Sequence, residues 1–228
     1  MNNLFLWYNF YMKKKNKQKL KIYFEDKNIL IVYKKSGLPT IKSDNYKDNL
    51  YSLVYDYLHK KNQRVFVVHR LDADTSGIVV FAKNENVKNA LQYDWDNVKR
   101  DYIALVHGKT KEEDIIKSHI AETKTLYSYS TNDKSGKYAE TYYKKIMSNN
   151  QYTLLYINIK TGRKNQIRVH MKDNNTPILG DRKYGKKDGY RNMMLLANRI
   201  EFVHPVTKQV INIDIGIPEE YTKVVNNK

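Results

Sequence analysis

The 228-residue chain contains no cysteine. This absence excludes a disulfide framework and a thiolate metal site, and it suits a reducing compartment. The six histidines are scattered along the chain and lack the spacing of metal ligands. We therefore expect a cytoplasmic protein that binds neither a structural nor a catalytic metal.

Long hydrophobic runs and interior linkers are also missing. The apolar stretch from Leu4 to Met12 is far too short to span a bilayer, and the lysines that follow it reverse the charge order of a signal peptide. No segment rich in Pro, Gly or Ser and no internal repeat divides the chain. The sequence predicts one domain over residues 19–228. It is preceded over residues 1–18 by an extension that is either disordered or an artefact of the gene model.

Acidic residues are scarce relative to basic ones. The chain carries 41 Lys and Arg against 24 Asp and Glu, which gives a formal charge of +17. Such an excess favours binding to a polyanion, and the 20 tyrosines offer faces on which unpaired bases can stack. The alternative interpretation is a solvated basic surface, or a gene composition that inflates Lys and Tyr. Composition is thus consistent with an RNA partner without identifying one.

A cluster of polar residues lies between two short apolar runs. Residues 65–68 and 78–81 have the length and β-branched composition of buried strands. Asp72 and Asp74 lie between them among Thr, Ser and Gly, which favour turns. Either the two aspartates make local hydrogen bonds in a hairpin connection, or the strands present a reactive carboxylate on the loop.

Residues 69–77, H-R-L-D-A-D-T-S-G, resemble the H-R-L-D-x-x-T-S-G signature of the RluA family of pseudouridine synthases. The resemblance extends over nearly the whole chain from about Lys19, and we expect a member of this family without the N-terminal S4 RNA-binding domain that many relatives carry. The other matching segments are the K-P-x-G-L-P turn at residues 34–39, K-x-Y-x-A-x-V-x-G at 100–108, A-x-T-x-Y at 139–143, T-G-R-x-x-Q-I-R-V-H at 161–170, P-I-L-G-D at 177–181, Y-G at 184–185 and H-P at 204–205.

The chain departs from the family pattern at a few positions. Lys35 stands where proline is usual, and Leu196 stands where histidine is common. Lys164 and Asn165 replace a Thr-His pair. We expect these changes to alter local hydrogen bonds and RNA contacts, but not to touch the residues assigned to chemistry.

The apolar pattern is mixed and indicates an α+β protein. Apolar residues from Leu50 to Leu58 recur at helical spacing, which predicts a helix from about Asp48 to Lys61, and Asn84 can cap a second helix. The resemblance implies the pseudouridine synthase catalytic fold, a largely antiparallel mixed sheet flanked by helices and loops. Strands are predicted around residues 29–33, 65–68, 78–81, 102–106, 139–147, 152–159 and 211–217.

Residues 163–173 are ambiguous, because residues 166–170 alternate like a strand. The resemblance implies a helix instead, and Asn174 and Asn175 can end one in the left-handed conformation. We expect a helix on which Arg168 shares a face with Lys164, Met171 and Lys172.

The resemblance implies the isomerisation of uridine to pseudouridine in RNA, in which the base leaves C1′, turns and rejoins the sugar through C5. Neither a cofactor nor a metal is required. The target base must leave its stack, which costs a few kcal/mol and is easiest in a loop.

By the same resemblance, Asp72 is the essential carboxylate. It attacks C1′, attacks C6 of the base or abstracts a sugar proton, and the sequence leaves these routes open. Each route needs the ionised form, and Arg168 beside Asp72 opposes the rise in pKa that burial causes. Tyr102 is implied to stack on the target uracil, with a core tyrosine as the alternative. Substrate contacts are implied for Arg70, His69, Thr75, Ile167 and Arg163, although Arg70 is also consistent with a structural role.

Two functions from different classes fit these residues. The first is an active RNA pseudouridine synthase, a monomer without an obligate protein partner that acts on ribosomal RNA or, next, on transfer RNA. The second is an RNA-binding or ribosome-assembly factor whose chemistry is dispensable. The presence of Asp72, Tyr102 and Arg168 favours the first. A nuclease is disfavoured, because the sequence has no clustered carboxylates for metal binding and no general-base histidine motif.

Overall fold

The computed structural model describes residues 20–44, 46–133 and 135–227. The predicted extension over residues 1–18 lies outside the described residues, so its two interpretations stay predictions. The elements in chain order are β1 (Ile22–Glu25), β2 (Ile29–Lys34), α1 (Leu50–His59), β3 (Phe66–Val67), β4 (Ser76–Ala82), α2 (Glu85–Tyr93), a short 3-10 turn (Trp95–Asn97), β5 (Lys99–His107), β6 (Glu113–Glu122), β7 (Ser128–Thr131), β8 (Lys137–Ser148), β9 (Tyr152–Ile159), α3 (Gln166–Asp173), β10 (Leu195–Val203), β11 (Val210–Asp214) and α4 (Glu219–Asn226).

These strands form one sheet. Its main path runs β1-β2-β4-β10-β5-β9-β8-β6-β7, while β3 pairs with β4 and β11 pairs with β10. The pairing of β4 with β10 is parallel, and the other pairings of described strands are antiparallel. The predicted α+β class with a largely antiparallel mixed sheet is confirmed.

Helices cover both faces of the central strands. Successive strand residues point to opposite faces, and both sets are apolar and buried. One face packs against α1 and α3 through a cluster that includes Leu30, Val79, Tyr102, Leu50 and Ile167. The opposite face packs against α2 and α4, in clusters that include Val80 with Val87 and Ile103 with Tyr221. The face that α1 and α3 cover carries the candidate site.

The predicted helices α1 and α2 are confirmed, together with the capping residue of α2. The side chain of Asn84 accepts a hydrogen bond from the Val87 amide at 2.9 Å, and Asn49 accepts one from Ser52 in the same way at the start of α1. Each cap satisfies a backbone amide that has no partner within its helix. Within the described ranges, no helix combines the length and the apolarity needed to cross a membrane.

The third helix begins later than predicted. It starts at Gln166 because Asn165 adopts the left-handed conformation, with φ of 56°, and it ends before Asn175, whose φ is 59°. Lys164 therefore lies outside the helix. The predicted shared face is wrong in part, because Arg168 and Met171 are buried whereas Lys164 and Lys172 are exposed. Strands β1, β6, β7 and β10 and helix α4 were not predicted.

Candidate active site

A loop between β3 and β4 carries Asp72. The two strands pair in an antiparallel manner, with Val67 opposite Phe81, so residues 68–75 form the connection of a hairpin. The Thr75 amide donates to the Asp72 carbonyl at 3.1 Å and closes a tight turn. The sequence prediction of a polar loop held by two strands is confirmed.

The segment that follows β2 fixes the backbone of this loop. Thr40 accepts a hydrogen bond from the Leu71 amide and donates one to the Leu71 carbonyl, at 3.1 and 2.9 Å. The Gly37 amide donates to the Ala73 carbonyl at 2.9 Å, and Gly37 adopts a φ of 80° that suits glycine. The K-x-x-G-L-P turn thus holds the aspartate loop in place.

The side chain of Lys34 joins the turn after β2 to the Asp72 loop. Its side chain is fully buried, and its Nζ donates to the carbonyls of Leu38 at 2.7 Å, Ala73 at 2.8 Å and Lys35 at 3.1 Å. Burial lowers the pKa of Lys34 to about 7, although the negative charge of Asp72 opposes this shift. Lys34 therefore fixes the loop backbone by hydrogen bonds and places a cation near Asp72.

The parallel contact between β4 and β10 explains the glycine of the loop motif. Gly77 has a φ of 124°, and a Cβ atom there would lie 2.2 Å from the Ala197 carbonyl oxygen. Any side chain would therefore push β4 away from β10. Ser76 adds a hydrogen bond from its hydroxyl to the Leu195 carbonyl at 3.2 Å. The S-G pair fixes where the aspartate loop enters the sheet.

Arg168 on α3 is held by a second aspartate. Its Nε and Nη2 each donate to Asp181 at 2.8 Å, and both side chains are almost completely buried. Asp181 also accepts from the amides of Lys183 and Tyr184 at 2.9 and 3.0 Å. Burial pushes the pKa of Asp181 upward, but Arg168 and these amides hold it below its ordinary value. The pair fixes the guanidinium in one orientation.

A departure from the family pattern also contacts Arg168. The Asn165 side chain accepts a hydrogen bond from Arg168 Nη1 at 2.9 Å and donates one to Ser128 Oγ at 3.2 Å. The expectation that the departures would not touch the residues assigned to chemistry is therefore wrong for Asn165. Two of the other three departures fit it, since Lys164 pairs with Glu122 at the surface and Leu196 is buried in the core.

The remaining edge of Arg168 faces Asp72. Nη1 lies 3.7 Å from Asp72 Oδ2, which is an ion-pair contact but too long for a hydrogen bond. The Asp72 carboxylate makes no hydrogen bond to any described side chain or amide. At about 4 Å and an effective dielectric constant of about 20, the attraction is roughly 4 kcal/mol, whereas removing an ion from water costs several kcal/mol. Accordingly, burial raises the pKa of Asp72 although Arg168 and Lys34 oppose the shift.

Tyr102 and Ile167 form an apolar wall beside this carboxylate. Tyr102 on β5 is 9% exposed and packs in the same cluster as Leu71 and Ile167, on the face that α3 covers. Burial, with a further contribution from Asp72, raises the pKa of Tyr102 to about 12. Its hydroxyl is therefore neutral at physiological pH and can donate a hydrogen bond. The structure brings Asp72, Tyr102 and Arg168 together, as the sequence predicted.

The other predicted contact residues differ in how much freedom they have. The Arg70 side chain is exposed and makes no hydrogen bond or ion pair with the described residues. Thr75 is buried at the turn after Asp72. Arg163 is exposed, and its Nε donates to the Tyr138 carbonyl at 2.8 Å. Arg70 is thus the predicted contact residue whose side chain is least restrained.

His69 has partners of its own within the protein. Its Nε2 accepts a hydrogen bond from the Val80 amide at 3.1 Å, and its ring stacks on Trp95 with centroids 4.6 Å apart. Burial and the nearby Arg100 lower the pKa of His69 to about 3, so the imidazole is neutral. These contacts give the ring a structural role, and its predicted contact with the substrate stays a prediction.

Comparisons with known proteins agree with this geometry. A family model described as RNA pseudouridylate synthase matches residues 28–173. An uncharacterized RNA pseudouridine synthase of Mycoplasma genitalium is 33% identical over 216 residues, which cover 90% of this chain and 68% of that protein. The chain belongs to the RNA pseudouridylate synthase family. The sequence resemblance to the RluA type is thereby confirmed.

Other members of the family are named for their RNA. The ribosomal large subunit pseudouridine synthase C of Rickettsia bellii is 35% identical over 211 residues, covering 88% of this chain and 69% of that protein. The tRNA pseudouridine synthase C of Pasteurella multocida is 29% identical over 231 residues, covering 91% and 95%. The solved structure of human RNA Pseudouridylate Synthase Domain Containing 4 has a TM-score of 0.73 at 21% identity, covering 96% and 95%, and shows the same fold.

Sequence reasoning about this RNA pseudouridylate synthase left Lys34, Asn165 and Asp181 without a role. Each lies inside a motif that was recognised, yet none was assigned to the site. The signal for Lys34 is a lysine that directly follows five apolar or aromatic residues of a buried strand, I-L-I-V-Y. The signal for Asp181 is an acid at the end of the apolar P-I-L-G run. A charged residue that is buried requires a polar or charged partner, so each of these two residues is a candidate for the site.

Proposed function

We propose that this chain isomerises uridine to pseudouridine in structured RNA, with Asp72 as the essential carboxylate. Arg168 orients and partly neutralises it, and Tyr102 stacks on the target base. The observation that carries the proposal is the arrangement around Asp72: hydrogen bonds hold the loop backbone in place, while no described residue donates a hydrogen bond to the carboxylate. Such a carboxylate is free to react with a substrate that enters beside Tyr102.

The chemistry needs no other reactant. The bond from N1 to C1′ breaks, a bond from C5 to C1′ forms, C5 loses a proton and N1 of the former uracil gains one, so the atoms balance without a redox step. The ionised Asp72 serves each of the three open routes, as a nucleophile toward C1′ or C6 or as a base toward the sugar. Arg168 keeps one carboxylate oxygen beside its guanidinium and leaves the other for the substrate.

Ribosomal RNA is the substrate we propose first and transfer RNA the second. The relatives include enzymes named for ribosomal RNA and for transfer RNA, which supports an RNA substrate. The formal charge of +17 supports affinity for a polyanion, and such affinity falls steeply as salt rises. We further propose that the chain acts in the cytoplasm, as a monomer without an obligate protein partner.

The proposal is tested by mapping pseudouridines in ribosomal and transfer RNA from cells with and without this gene. We expect at least one position to lose its pseudouridine and to regain it with the wild-type gene but not with Asp72→Asn. Full restoration by Asp72→Asn would contradict the catalytic assignment. Unchanged pseudouridine maps together with defective ribosome assembly would favour an assembly factor with dispensable chemistry.

A further inference from the structure

Arg100 is a buried cation that forms no ion pair with an acidic residue in the described part of the chain. It is 7% exposed, and its Nε and Nη2 donate only to the backbone carbonyls of Val98 at 3.2 Å and Lys160 at 3.3 Å. No described carboxylate lies within ion-pair distance of it. Burial lowers the pKa of Arg100 and Arg163 adds to this effect, while Tyr102 and the more distant carboxylate of Asp96 oppose it. Because buried charges are normally paired, this guanidinium is available for an anion from outside the chain.

The free edge of Arg100 adjoins Gly162 in the T-G-R turn. Nη1 makes no hydrogen bond within the described part of the chain, and a Cβ atom on Gly162 would lie 3.1 Å from it, with no other atom outside the neighbouring residues within 4 Å. Gly162 therefore lies directly beside Nη1, and a side chain there would crowd the guanidinium. Gly162 is exposed and is not among the residues with positive φ, so the backbone conformation does not require glycine. The glycine instead keeps a space open above the guanidinium.

Arg100 and Tyr102 lie on the same face of β5, at a spacing that suits one nucleotide. Arg100 and Tyr102 are two residues apart on β5 and therefore point to the same face of the sheet, separated by about 6.6 Å along the strand. A nucleotide whose base lies against Tyr102 can thus extend its phosphate toward Arg100. Arg163, one residue after the glycine, leaves both terminal guanidinium nitrogens without a hydrogen bond to the described residues. A guanidinium fork suits phosphate oxygens in geometry and charge.

We infer that Arg100 and the turn at Gly162 form a phosphate-binding subsite that holds a phosphate of the target nucleotide. The inference rests on the proposed function for its substrate, uridine within RNA. It adds a contact that fixes the nucleotide by its backbone while the base turns at Asp72. Arg100 is thus a substrate-positioning residue, and its charge is expected to act on binding more than on the chemical step.

A titration with small nucleotides tests the subsite without requiring turnover. The probes are uridine, uridine 3′-monophosphate and uridine 5′-monophosphate, and the readout is the NMR signals of the arginine side chains. We expect one monophosphate to bind about tenfold more tightly than uridine and to shift the Arg100 signals. In Arg100→Gln and Gly162→Ala, the gain in affinity of the monophosphate over uridine should fall to less than about twofold. Equal gains in the wild type and Arg100→Gln would overturn the inference.

The matched control is Arg199→Gln on the neighbouring strand β10. Arg199 is already paired with Asp101 at 3.2 Å and with Glu201, so removing it should leave the gain from the phosphate intact. Arg100→Lys keeps a charge and should restore part of the gain that Arg100→Gln loses. Gly162→Ala changes an exposed turn and should fold normally, which thermal unfolding checks. Loss of the gain in Arg199→Gln as well would indicate a general charge effect and contradict the subsite.

A second experiment connects the subsite to catalysis. A stem-loop with the mapped uridine is prepared with a neutral methylphosphonate in place of the phosphate on either side of that uridine. We expect one replacement to raise KM about tenfold for the wild type with little change in kcat, and to have almost no further effect in Arg100→Gln. Equal sensitivity of both proteins to each replacement would contradict the subsite. If no RNA is modified at all, the proposed function fails, and the nucleotide titration still decides on the subsite.

Discussion

Arg168 lies between two aspartates that the fold treats in opposite ways. Asp181 is 1% exposed and receives two hydrogen bonds from the guanidinium and two from backbone amides. The Asp72 side chain is 31% exposed, lies 3.7 Å from the guanidinium and has no hydrogen-bond donor in the described chain. One carboxylate is satisfied by the protein, and the other is left for a ligand.

The difference separates structural from reactive acids within one charge cluster. Hydrogen bonds from Thr40, Gly37 and Lys34 hold the backbone of the Asp72 loop. None of these groups donates to the Asp72 carboxylate. Burial therefore raises the pKa of Asp72, while Arg168 and the amides hold that of Asp181 low against the same effect of burial.

The largest effect is expected for Asp72→Asn. The substitution keeps size and hydrogen-bonding capacity but removes the charge that each chemical route needs, so pseudouridine formation should be abolished. RNA affinity should stay within about tenfold, or roughly 1.4 kcal/mol, because the basic surface is unchanged. Tritium release from C5-labelled uridine in RNA measures turnover. Asp74→Asn is the matched control and should be much milder, since no cation lies within ion-pair distance of Asp74 in the described structure. Turnover by Asp72→Asn at the wild-type rate would eliminate the assignment.

Asp181→Asn should act on stability first and on turnover second. It leaves the buried Arg168 without its bidentate partner, and breaking such a pair costs about 3–5 kcal/mol of the free energy of unfolding. Turnover should fall because the guanidinium loses its fixed orientation beside Asp72. Urea unfolding and tritium release measure the two effects. Asp101→Asn breaks the contact with Arg199 and should lower stability with a smaller loss of turnover. An Asp181→Asn variant as stable as the wild type would contradict the structural role of Asp181.

Lys34→Met tests the role of Lys34 in holding the loop backbone and in stabilising the charge of Asp72. The buried Leu38 carbonyl loses the donor it has in Lys34, and the Ala73 carbonyl keeps only the Gly37 amide, which should lower the free energy of unfolding by about 1–3 kcal/mol. Because the positive charge of Lys34 lowers the pKa of Asp72, its removal should move the acidic limb of kcat/KM to higher pH. Lys83→Met is a matched control, since Lys83 is also buried but pairs with Glu25. It should lower stability and leave the pH profile in place. If the acidic limb of kcat/KM lies at the same pH in Lys34→Met as in the wild type, Lys34 does not lower the pKa of Asp72.

The smallest effect concerns stability as a function of pH. The pKa of Asp72 is higher in the folded state than in the unfolded state, so its contribution to stability is fully present below the unfolded pKa and is lost as pH rises through the folded pKa. Asp72→Asn should therefore be somewhat more stable than the wild type at neutral pH, and this advantage should fade on acidification. Unfolding measured across pH checks the trend. A variant less stable than the wild type at neutral pH would contradict it.

The sequence was sufficient for the elements and motifs that depend on local signals. Helices α1 and α2 follow from apolar spacing and from Asn84 as a cap, and the motifs located the Asp72 loop and Arg168. The late start of α3 was not predictable, because the left-handed conformation of Asn165 depends on its buried contacts with Arg168 and Ser128. The dominant partner of Arg168 was also missed, because the contact with Asp181 forms only when the chain after α3 folds back over it.

The most direct test of the central claim is a carboxyl NMR titration of Asp72 and Asp181 in the same protein. The account predicts that Asp72 titrates above the ordinary pKa of an aspartate and that Asp181 titrates below it, with Asp181→Asn and Asp72→Asn identifying the two signals. A lower pKa for Asp72 than for Asp181 would contradict the account. It would mean that the protein stabilises the charge of Asp72 fully instead of leaving it for the substrate.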